Sequence, residues 1–135
     1  MDTTANTTRG SCLCGDVRYL ISGPLGDIVH CHCTTCRKAH GSAFSSVAAV
    51  ADNDFTINSP LPLGSFESSP GKRRFFCSRC ASQIYAKRAG TAHIILRLGT
   101  LDSPVKAVEK NHIWTSQKAS WYTLDSQLPR CETFE

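Results

Sequence analysis

HCHCTTCRK, His30 to Lys38, is the stretch that decides how this chain must fold. It holds Cys31, Cys33 and Cys36 within six residues of a 135-residue chain that has 8 cysteines altogether. A disulfide uses two thiols and a tetrahedral metal site uses four ligands. Three thiols on one short segment therefore need either an outside partner or a position left open. The other cysteines give the context: Cys12 and Cys14 lie in SCLCG, Cys77 and Cys80 in FCSRC, and Cys131 stands alone near the C-terminus.

C-x-x-C after a strand is the pattern of a zinc knuckle, because two intervening residues let both thiolates face one ion while turn amides point at the sulfurs. Redox dithiols share the spacing, but no βαβ pattern surrounds it here. The C-x-C pair adds two more thiolates. Cys12, Cys14, Cys77 and Cys80 would then close one tetrahedron and staple the start of the chain to its centre. Cys31, Cys33 and Cys36 are left with three ligands and one open position, as in a catalytic zinc. The rival arrangement closes this site with a histidine. Alternate residues of an extended chain point to opposite faces, which turns His32, lying between two ligands, away from the metal; His30 shares a face with His32. His40, four residues past Cys36, can return on a helical turn and is the stronger rival. Cys131 reads as a bystander thiol.

Around these clusters the chain reads as short strands. DVRYLIS (16–22) alternates apolar Val17, Tyr19 and Ile21 with outward residues and ends at the turn pair Gly23-Pro24. AFSSVAAV (43–50), RRFFC (73–77), SQIYAK (82–87) and AHIILRLG (92–99) read the same way. TTCRKAHG (34–41) is the one short helical turn, started by a threonine and stopped by Gly41. Three of the 6 prolines fall in residues 58–71, which are expected to form irregular loops with a short strand over 63–66. Trp114, Trp121 and Tyr122 are expected to close the core or wall a pocket. The fold class is all-β: a compact, zinc-stapled β-sheet domain with one helical turn. Residues 1–9 are expected to be a flexible leader, and 10–135 a single domain.

Composition limits the function. With 41% apolar residues the chain can bury a core, and no run of about 18 apolar residues exists to span a membrane. The N-terminus lacks the apolar stretch of a signal peptide, so the expected compartment is the reducing cytoplasm, where thiols rarely persist as disulfides. The net charge of +4 is spread thinly. Its densest cluster, Lys72, Arg73 and Arg74, is modest beside the basic stripe of a nucleic-acid binder and reads as solvated surface.

GSCLCGDVRY, HCHCTTCRKAHGSAF, FFCSRCASQIY and HIWTSQKASWY, taken in order, resemble the glutathione-dependent formaldehyde-activating enzyme family, which includes centromere protein V. The resemblance covers residues 10–124. It implies a β-tent fold with two Zn2+ per chain, a structural ion on Cys12, Cys14, Cys77 and Cys80 and a second on Cys31, Cys33 and Cys36. It also implies the reaction of the founding enzyme, condensation of formaldehyde with glutathione to S-hydroxymethylglutathione, formally a carbon–sulfur lyase run in reverse.

The expected partner is accordingly a small thiol such as glutathione, entering the open position and held there as thiolate. Arg37 and Lys38 are candidates to bind a substrate carboxylate, with Ser42 and Phe44 beside them. His112 is the candidate proton shuttle, since imidazole titrates near neutrality. The alternative is a non-catalytic module in which both ions only shape a platform for glutathione, a protein or nucleic acid, the last two docking on the strand of Lys72 to Arg74. Thiol–disulfide regulation is a third reading, and it predicts reactive rather than metal-protected thiols.

Overall fold

The computed structural model describes residues 7–134. Of the leader expected over 1–9, the first six residues lie outside the described ones, whereas Thr8 and Arg9 already belong to a strand. The strands are β1 (Thr8–Ser11), β2 (Arg18–Ile21), β3 (Ile28–Cys31), β4 (Ser45–Ala51), β5 (Phe55–Asn58), β6 (Gly64–Ser69), β7 (Lys72–Phe76), β8 (Gln83–Arg88), β9 (His93–Arg97) and β10 (Glu109–Ile113). Among the described residues one α-helix, α1 (Thr34–His40), interrupts them between β3 and β4. The all-β expectation with a single helical turn is met. No helix among the described residues is long and apolar enough to cross a membrane.

β1, β2 and β5 form a three-stranded antiparallel sheet, and the other strands form a second in the order β10-β3-β4-β9-β8-β7-β6. Within the larger sheet β10 runs parallel to β3, with His112 opposite His30 and Ile113 opposite Cys31. The remaining pairings are antiparallel. Both sheets contribute to one core: Tyr19 and Ile21 come from the smaller, and Val50, Ile84, Ile94 and Leu96 from the larger. Burying side chains of this size stabilises by about 1.5–3 kcal/mol each. A satellite cluster of Cys31, Cys36 and Ile113 lies under Trp114 and Cys131.

Several local expectations change for physical reasons. Residues 58–71 are not mostly loop: β6 runs from Gly64 to Ser69 and pairs along β7, with Pro70 left in the turn between them. The helix is not started by a threonine side chain. Its N-cap is Cys33, whose Sγ accepts the Cys36 N–H at 3.3 Å, and Gly41 ends it at φ 61 with its N–H on the Arg37 carbonyl. Trp121 is 70% exposed and closes nothing, whereas Tyr122 packs on Phe44 with ring centroids 5.6 Å apart. The basic triplet is not a solvated surface cluster either. Strand alternation leaves Arg73 outside and turns Arg74 inside.

Candidate functional site

The loop between β1 and β2 and the turn between β7 and β8 bring Cys12, Cys14, Cys77 and Cys80 together, with all four sulfurs within 4.8 Å of one another. Cys12 Sγ lies 3.5 Å from Cys14 Sγ, and Cys14 Sγ lies 3.8 Å from Cys77 Sγ. These are not disulfide distances, which are about 2.05 Å. A tetrahedral ion with metal–sulfur bonds of about 2.3 Å sets its sulfurs about 3.8 Å apart, so the donor set fits such an ion. The surroundings suit thiolates as well. Val17 N–H donates to Cys12 Sγ at 3.2 Å, and the N–H groups of Arg79 and Cys80 both donate to Cys77 Sγ at 3.4 Å. Ser82 Oγ sits 3.2 Å from Cys80 Sγ and also accepts Leu13 N–H at 2.9 Å, tying the two loops together. Ala81, at φ 66, makes the tight knuckle turn possible.

The second cluster comprises Cys31 at the end of β3, Cys33 at the helix cap and Cys36 in the first turn of α1, again with sulfurs within 4.8 Å. Among the described residues no histidine or carboxylate joins these three within that distance. His40, the expected rival, is at the far end of α1, its Nε2 buried without a hydrogen-bond partner among the described residues. Burial first, then the charge of Arg97, pushes its imidazole down to about 4. Both cysteine clusters can hold a metal ion. Cys131 stays outside them and accepts a 3.6 Å contact from Asn111 Nδ2.

His30, in β3, and His32, just past its end, alternate with Cys31, and His112 joins them from β10. His32 Nε2 and His112 Nδ1 are 2.8 Å apart, and the His30 and His112 rings are 4.9 Å apart. His30 is itself held between Ser46 Oγ at 2.8 Å and Glu109 Oε2 at 2.7 Å. Burial, then His112 and His30, holds the His32 imidazole down at about 4, and burial, then His30, also lowers that of His112. His112 is therefore part of a buried imidazole stack, with its hydrogen bonds directed at His32 and not at the sulfurs. Ser42 Oγ donates to the Phe44 carbonyl at 2.9 Å. Lys38 lines a cavity of about 440 Å3 beside α1, together with Thr34, Phe76, Gln83 and Arg74. Arg37 keeps its Nε buried without a partner among the described residues.

The residues that sequence reasoning missed are Arg74 and Arg97, each 4% exposed. Arg74 Nη2 reaches Cys36 Sγ at 3.7 Å. Burial, then Arg74, pushes the Arg97 guanidinium down to about 10, against the opposing pull of Cys36, Cys31 and Cys33. Signals for both were present. Arg74 shares the alternation of Phe76, and Arg97 sits in the nearly continuous apolar run AHIILRL, which marks a strand covered on both faces.

Comparison with known proteins gives concordant results. The family model described as glutathione-dependent formaldehyde-activating enzyme matches residues 7–117. A curated relative from Halomonas elongata, named "Putative glutathione-dependent formaldehyde-activating enzyme", is 27% identical over 134 residues, covering 91% of this chain and 85% of its own. The crystal structure of a Rhodobacter sphaeroides protein superposes with a TM-score of 0.59 at 18% identity, over 73% of this chain and 91% of that one. At that identity the likeness concerns the fold alone.

Proposed function

The chain belongs to the glutathione-dependent formaldehyde-activating enzyme family, and from that premise we propose that it is a zinc-dependent enzyme of carbon–sulfur lyase type. Its substrates on this reading are glutathione or a similar small thiol and formaldehyde or a related small aldehyde. The observation that carries the proposal is the three-sulfur cluster of Cys31, Cys33 and Cys36, which no histidine, carboxylate or further cysteine joins among the described residues. Cys12, Cys14, Cys77 and Cys80 would hold a structural zinc, and Cys31, Cys33 and Cys36 a second, catalytic one. A zinc ion with three protein thiolates supplies Lewis acidity that favours the thiolate form of an incoming thiol.

The chain's own residues do the rest. Cys33 and Cys36 are fixed by the first turn of α1, so the site is built on a rigid element and not on a free loop. Lys38 attracts the substrate's negative charge into the cavity beside α1, with Arg37 next to it on the same helix. The reaction joins the thiol sulfur to the aldehyde carbon and moves the thiol proton to the carbonyl oxygen, giving an S-hydroxymethyl adduct with no atoms left over. His112, the candidate proton shuttle, faces His32 and not the sulfurs, so on this reading it positions the His32 imidazole. The reading takes the chain from residue 8 onward as one domain and places it in the cytoplasm, where small thiols stay reduced.

The test combines metal analysis with turnover. Purified protein is expected to carry two zinc ions per chain and to speed formation of the adduct from 13C-formaldehyde and glutathione, followed by NMR. Two bound ions with no acceleration for any small thiol would leave a binding module and remove the enzyme.

A further inference from the structure

Two buried arginines beside the three-cysteine cluster have no part in the chemistry described so far. Arg74 and Arg97 share one face of the larger sheet: Arg74 lies opposite Ala86, Ala86 opposite Ile95, and Arg97 follows Ile95 by two residues. Fully buried Ala86 leaves room between them. Apart from its contact with Cys36, Arg74 has Nε and Nη1 buried without a partner among the described residues, and Arg97 has Nε and Nη2 in the same condition. No carboxylate forms an ion pair with either one among the described residues. Lys72 adds to the charge, its ammonium lowered by burial and then by Arg97 and Arg74.

Buried guanidinium groups with idle donors are strongly unfavourable unless an anion meets them. The thiolates account for part of that demand. Three thiolates around one divalent ion carry a single net negative charge, against two guanidinium groups and a lysine. Both arginines border open space, with the idle donors themselves covered from solvent. Arg74 lines the cavity of about 440 Å3, Arg97 lines a second of about 380 Å3 with His40 and Ser45, and Gln83 lines both. Gln83 is turned to this face by a β-bulge: Phe75 pairs with Tyr85 but Phe76 pairs with Gln83, so Ile84 is skipped and buried in the core.

We propose that Arg74 and Arg97 form an anion seat beside the three-cysteine centre that takes a carboxylate of the thiol substrate. The seat rests on the reading of that centre as a thiol site. The planar fork of donors on each arginine suits the two oxygens of a carboxylate better than it suits a sulfur, which is a weak acceptor.

The experiment uses the zinc-loaded full chain and two probes, glutathione and its dimethyl ester, which keeps the thiol and loses the free carboxylates. Calorimetry reads affinity, and the sulfur-to-metal absorption band of cobalt-substituted protein reads thiol ligation. The acid is expected to bind about tenfold or more tightly than the ester, given the strength of hydrogen bonds to charged groups. Arg97→Gln is expected to remove most of that difference while thiol ligation persists. Equal affinity of acid and ester overturns the seat and leaves the arginines as counter-charges to the thiolates. If Arg97→Gln does not fold, Arg97→Lys, which keeps the charge and loses the planar fork, is read in its place, and Lys38→Gln reads the share of the difference that belongs to the helix lysine. If neither probe changes the cobalt band, the thiol reading is what fails. S-methylglutathione then tests the seat by itself: binding that weakens in Arg97→Gln supports it, and no binding overturns it.

Discussion

Cys33 serves two structures with one sulfur, as the cap of α1 and as a member of the three-cysteine cluster. Serine is a good N-cap but a poor zinc ligand, so Cys33→Ser separates the roles. The variant is expected to keep its helix and fold, to lose one of two metal ions by elemental analysis, and to lose adduct formation by NMR. At the other cluster, Ser82→Ala removes the hydroxyl beside Cys80 and is expected to weaken metal retention by about 10–100-fold in a chelator competition, as outer partners of metal ligands commonly do. His112 gives the pH dependence. Its folded pKa is lowered, so above about 6.5 it is neutral in both states and adds nothing. Below that the unfolded chain takes up the proton first, and stability falls as pH drops toward the folded value. Urea midpoints at pH 7.5 and 5.5 are expected to show a smaller acid-side fall in His112→Asn than in the unaltered protein. At this scale the cysteines were legible because their spacing is itself the signal. Arg74 and Arg97 were marked only weakly, by their places in an alternating and a nearly continuous apolar run, because a charged residue in a strand reads as outward until the layers on both faces are known.

Among the elements, β7, β8 and β9 are readable from alternation and β-branched or aromatic residues. β1, β3 and β10 are not: four- and five-residue strands such as TRGS and EKNHI carry no period of their own and exist because a neighbour offers a ladder. TRGS includes Gly10, which pairs with Tyr19 and lies under its ring, and the Tyr19 hydroxyl bonds Thr100 Oγ1 at 2.7 Å. A methyl group at Gly10 would overlap the ring, so Gly10→Ala is expected to cost about 1–3 kcal/mol in a denaturant titration. Gly41 has open space around its missing side chain but a left-handed backbone. Gly41→Ala is expected to cost only about 1–2 kcal/mol, from conformation alone, with metal content unchanged.

For the whole molecule, the four-cysteine cluster joins a loop of the smaller sheet to a turn of the larger one. Structural zinc in small domains contributes about 10–16 kcal/mol of apparent binding free energy, as much as the net stability of many domains. Cys80→Ser is therefore expected to lower the melting temperature far more than Cys33→Ser, by circular dichroism, and chelation of the unaltered protein is expected to reproduce the loss. The meeting of these four cysteines was legible in the sequence, since C-x-C and C-x-x-C each offer half of a four-ligand set. The parallel pairing of β10 with β3 was not, because nothing in EKNHI names its partner. That pairing sets an order of events at the ribosome. The neighbours of β3 on its outer edge lie some eighty residues downstream, so the imidazole stack cannot assemble until β10 has emerged. The three thiols lie within six residues of one another, so they leave the ribosome together and can meet a metal ion before that stack exists.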